Sequence, residues 1–170
     1  MATIKGPPPG ATRNLPIAKE LADVLNRAAT VAAIDVIDIV SGGQPASGEG
    51  GSRTGSTRHD HGRAADCKLI QGGRTLTFTD DSGGPVVEAF VTAAAAAGAT
   101  GIGAGLAYMG NATIHVGFGT SPSDHTKLVW GADGVSANAP AWLKAAADKG
   151  WKQSAGGAAV AAAAPASERA

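Results

Sequence analysis

Between Thr57 and Asp66 the chain reads Thr-Arg-His-Asp-His-Gly-Arg-Ala-Ala-Asp, which places two imidazoles and two carboxylates within eight residues. The whole chain has only four histidines. Neutral imidazole and carboxylate suit a borderline cation such as Zn²⁺ where thiolates are not on offer. Cys67 is the only cysteine, which excludes an intrachain disulfide and a multi-thiolate site. Gly62, Ala64 and Ala65 are small, so the backbone can turn tightly between ligands. A further imidazole, His115, lies in the alternating run Ala112–Phe118, on one face with Thr113 and Gly117 and opposite Ile114, Val116 and Phe118. The plainer alternatives are a solvated surface loop at 57–66 and a structural histidine at 115.

The order Thr57-x-His59-x-x-Gly62-x-Ala64-x-Asp66 resembles the first metal motif of the zinc D-Ala-D-Ala peptidases. That group includes bacterial carboxypeptidases and dipeptidases, several phage endolysins, and the hedgehog signalling domain of the same fold. Gly101-Ile102-Gly103, then Tyr108, then a strand bearing His115, resembles its second metal motif. The resemblance spans residues 14–151 and is specific in these two segments. It implies one Zn²⁺ held by His59, Asp66 and His115, with a fourth position for water, and hydrolysis of D-Ala-containing amides in peptidoglycan peptides. His61 is the rival ligand through His-x-His, or a group behind the ligands.

Two departures stand out. Gln44 occupies the place of the Arg that ends the family's Ser-Gly-aromatic-Arg segment, so Arg53 or Arg58 would have to supply the charge. Ala112 and Gly117 occupy the positions where family members carry a carboxylate. The substrate-binding candidates are therefore Gln44, Arg53 and Tyr108. The nearest replacement acid/base groups are His61 and Asp60, with Glu49, Asp124 and His125 further off. The alternative is a non-catalytic zinc-containing module of the same fold, binding wall peptide or building a larger particle.

These groups need a scaffold, and the remaining sequence supplies one. Leu21, Val24, Leu25, Ala28 and Val31 recur at helical spacing within 18–33, and a second helix is expected at 85–97, a third at 139–148. Alternating, β-branched runs predict strands at 34–40, 66–70, 74–78 and 112–118. The expected fold is α+β, a small, mostly antiparallel sheet flanked by helices, of the hedgehog and D-Ala-D-Ala peptidase kind. Residues 1–13 read as an extended lead-in, 14–152 as the domain, and 153–170 as an Ala/Gly/Pro-rich flexible tail. Residues 41–58 read as a long functional loop.

Other signals are excluded or set aside. Fourteen basic and fourteen acidic residues give zero formal charge, so nothing points to nucleic acid or an anionic membrane. No run is long enough to insert in a bilayer. Asp81-Ser82-Gly83-Gly84-Pro85 resembles a serine-protease signature but lacks its companions, and reads as a helix start. Gly101–Gly105 reads as a close-packed turn, since no strand leads into it and no Lys follows. The opening residues lack an export signal, so access to the wall is expected through lysis from the host cytoplasm or on a phage virion, with other virion or tail proteins as partners.

Overall fold

A computed structural model describes residues 2–163, with side chains over residues 2–154. Seven strands form one sheet: β1 (Thr3–Lys5), β2 (Val36–Ser41), β3 (Ala64–Gln71), β4 (Arg74–Thr75), β5 (Gly101–Gly105), β6 (Gly110–Gly117) and β7 (Leu128–Trp130). Their order is β1-β2-β3-β6-β5-β7, with β4 hydrogen-bonded to β3 off this path. The helices are α1 (Lys19–Ala32), α2 (Gly83–Ala96), the single turn α3 (Leu106–Met109) and α4 (Ala141–Ala163).

The α+β class stands, but the expectation of a mostly antiparallel sheet is corrected. The sheet is mixed, because both outer strands add in parallel: β1 along β2, and β7 along β5. Both parallel partners come from segments with no strong alternation of their own. Residues 1–13 therefore contribute an edge strand to the sheet. Gly101–Gly105 is a strand, not a turn; its glycines hid it, since Gly weakens strand propensity when read locally. The strand expected over 74–78 keeps only two paired residues. The helix expected to end near 148 continues as α4 to Ala163, and residues 164–170 of the expected tail lie outside the described residues.

Strand alternation divides the sheet into two chemically different faces. One face carries the cross-strand row Ala65, Val116, Ile102 and Val129, together with Ile39, Cys67 and Ile114. These pack with Leu21 and Leu25 of α1, Phe90 and Val91 of α2, and Leu143 and Ala147 of α4 into a single core. The other face carries Ser41, Asp66, His115, Gly103 and Trp130, which are register partners in sequence across β2, β3, β6, β5 and β7.

Gly103 is small for a reason that the row makes plain. A Cβ there would lie 2.3 Å from Trp130 Nε1 and 2.6 Å from Cε2, so the indole rests on bare backbone. Gly103→Ala should destabilise the fold by about 1–3 kcal/mol through overpacking, read as a lower urea midpoint with an unchanged slope.

Candidate metal centre

Three histidine and aspartate side chains meet on the polar face. Candidate ligand atoms of His59, Asp66 and His115 all lie within 4.8 Å of one another. The residues are 2 %, 9 % and 2 % exposed. Asp66 and His115 face each other directly across β3 and β6, with Asp66 Oδ1 3.2 Å from His115 Nδ1. His59 arrives from outside the sheet, on a 3₁₀ turn over Thr57–His59 whose start is capped by Ser56 Oγ accepting from the Arg58 N–H. Gly62 lets that turn approach. It has φ +73°, and a Cβ would lie 2.4 Å from the Pro16 carbonyl.

Two imidazoles and a carboxylate form a donor set whose chemistry suits a divalent cation. Asp66 Oδ1 to His115 Nδ1 is 3.2 Å and Asp66 Oδ2 to His59 Nε2 is 3.6 Å. His59 Nδ1 lies 2.9 Å from the Gly42 carbonyl, the arrangement in which Nδ1–H donates and Nε2 keeps its lone pair for a metal. His115 Nε2 is buried without a hydrogen-bond partner. Burial, reinforced by the neighbouring His115, lowers the His59 pKa to about 4, so the ring is neutral and ready to ligate at ordinary pH. For Asp66, burial is the largest influence and raises the pKa. The His115 hydrogen bond and the charges of His115, His59 and Arg13 outweigh it and hold the carboxyl below its usual range.

Aromatic and cationic groups surround the triad. The His115 ring sits edge-on to His59 at 5.0 Å and to Trp130 at 4.8 Å. Trp130 Nε1–H donates to Tyr108 Oη at 3.1 Å, and burial raises the Tyr108 pKa, with the Asp66 charge adding to the effect. Arg58 lies over the Trp130 ring at 4.6 Å and donates to the Phe118 carbonyl. Arg13, absent from the candidates read in the sequence, places Nη1 3.6 Å from Asp66 Oδ2.

The remaining sequence candidates are not brought to the triad in the same way. Gln44 is buried, but its Oε1 accepts from the Thr54 N–H while Nε2 donates to the Ser56 carbonyl and to Asp60. Arg53 Nη2 bridges both Asp60 oxygens at 2.9 Å. Gln44, Arg53 and Asp60 thus brace the 44–60 loop against itself. His61 has φ 58°, is exposed, and pairs with Glu49 at 2.7 Å. Asp124 closes its own turn through Thr120 and Thr126. His125 borders a separate small cavity with Glu20, Arg63 and Thr100. Ser82 precedes α2 and hydrogen-bonds Asp80.

A cleft of about 440 Å³ lies between residues 11–15 and 43–52, with Arg13 in its wall and no residue of the triad in its lining. A larger cavity of about 850 Å³, lined by Val31, Ala93 and Ala146 among others, opens on the helices and shares no residue with the triad. No protein-family model, curated protein or solved structure matches the chain.

Two outcomes follow from this geometry. His115→Ala should remove most affinity for a divalent metal in equilibrium dialysis, whereas His61→Ala and His125→Ala should leave it unchanged. For chelator-treated protein, the unfolded His59 titrates near its ordinary value of 6.5 and the folded one near about 4. The unfolded chain therefore binds the extra proton between these values, and stability should fall as pH falls from about 6.5 to about 4. Urea midpoints across that range check the sign, and His59→Gln should flatten the slope.

Proposed function

We propose that the chain is a zinc-dependent peptidase with the hedgehog and D-Ala-D-Ala peptidase type of fold. Its substrates are D-Ala-containing amides of peptidoglycan stem peptides or cross-links. The setting we propose is phage lysis or a virion, with access to the wall from the lysing cell or from the particle, alongside other virion or tail proteins. One observation carries the reading. The residues that the two motif resemblances nominate, His59, Asp66 and His115, converge from a turn and two strands into one buried donor set.

His59, Asp66 and His115 would hold the ion, which supplies Lewis acidity toward a carbonyl and toward water when bound. The Gly42 carbonyl fixes the His59 tautomer, and Trp130 with Tyr108 shields one side of the centre. Arg13 brings a guanidinium to the cluster, whereas Arg53 is committed to Asp60, and Arg58 to Phe118 and Trp130.

A second reading, a non-catalytic wall-binding or structural module, is favoured by a specific observation. Positions 112 and 117 carry no carboxylate, and Asp60, Glu49 and Asp124 are engaged by Arg53, His61 and the Thr120–Thr126 turn. Purified peptidoglycan separates the two. The peptidase should release new amine termini, lose this activity to a chelator and regain it with Zn²⁺. Zinc-loaded protein that binds the wall yet releases no amine over long incubation would establish the module instead.

A further inference from the structure

We infer that Arg13 is a fixed counter-charge of the metal centre, which weakens its hold on a divalent cation and leaves the loaded centre more positive than its ligands alone would make it. The inference rests on the metal-binding reading of the triad. Arg13 stands outside both metal motifs, in the segment before α1.

The geometry shows why this arginine cannot simply move aside. Nη1 donates to Ser41 Oγ at 3.0 Å, and Nε donates to the Thr54 carbonyl at 3.2 Å. Its own carbonyl accepts from the Gly42 N–H at 2.8 Å, and two residues on, Leu15 pairs with Gly43. The side chain is 13 % exposed. An untethered arginine beside a metal ligand would swing into water as a cation arrived. Here backbone and side chain are both tethered, and Ser41 belongs to the same cross-sheet row as Asp66 and His115.

The charges can be counted. With neutral imidazoles, Asp66 (−1) and Arg13 (+1) sum to zero, so a divalent cation brings the cluster to +2. Without Arg13 the same count is −1 before loading and +1 after. Arg13 therefore satisfies the buried carboxylate when no cation is present and repels the cation when one is. A neutral side chain at position 13 leaves Asp66 with the two imidazoles but no fixed positive charge beside it, so an arriving cation meets a more negative site. A role limited to orienting Asp66 predicts the opposite sign, since loss of the orienting group would weaken binding.

The test uses the full chain and measures Zn²⁺ affinity by competition with a chromophoric chelator. Arg13→Gln keeps hydrogen-bonding capacity without charge, and Arg13→Met is a second neutral variant should the amide disturb the loop. Both should bind Zn²⁺ at least about tenfold more tightly than the wild type, and Arg13→Lys should stay within about threefold of it. Circular dichroism confirms that each variant is folded. Equal or weaker binding by a folded neutral variant overturns the inference, as does a Lys variant that binds as tightly as the neutral ones. Wild-type protein that binds no Zn²⁺ overturns the metal reading itself, and this inference with it.

Discussion

The antiparallel pairing of β3 with β6 is the constraint on which the rest of the centre depends. It sets Asp66 opposite His115, and that single register step fixes two donors before any loop is placed. Backbone hydrogen bonds hold the two Cα positions, so the side chains lose little further freedom in meeting. The third donor then needs only a short turn to reach a prepared pair. His59 is held there by backbone contacts of Gly42, Gln44 and Gly62.

A sheet buried on both faces ordinarily presents apolar residues on each. This one gives its second face to polar and very small residues, and the two kinds are interdependent. Bare backbone at Gly103 seats the Trp130 indole, and a Cβ at Gly101 would meet Arg58 Nη1 at 2.5 Å. Space released by glycine is thus occupied by an aromatic wall and a guanidinium around His115. The opposite face does the ordinary work of burial through Ile102, Ile114, Val116 and three helices. Stability and chemistry are therefore assigned to opposite sides of the same strands, which lets the polar side carry groups that would be costly in a core.

The sequence revealed most where function or periodicity left a local mark. α1 and α2 were legible from apolar spacing, and the donor set His59, Asp66 and His115 from the two motif resemblances. What escaped it were long-range placements. Nothing local distinguishes Arg13 from any other basic residue in a Pro/Gly-rich run, although 53 positions separate it from Asp66. β5 was hidden because its glycines suit a packing partner distant in sequence. Conversely, Asp60 and His61 were attractive by proximity to His59, and Gln44 because it stands where the resemblance places an Arg. Yet Gln44 and Asp60 are spent on bracing a loop, and His61 turns outward at a left-handed backbone position. Adjacency in sequence was a poor guide exactly where the chain reverses direction.

Cys67 follows Asp66 directly, yet points to the opposite side of β3, into the core, where burial pushes its thiol pKa well up. A one-residue slip of β3 would exchange the two, bringing a carboxylate into the apolar layer and a thiol to the donor set. The misaligned state would bury an unpaired charge and forfeit the pairing with His115. The carboxylate that equips the centre thus also acts as an indexing pin during assembly, making the wrong alignment of the central strands the costly one.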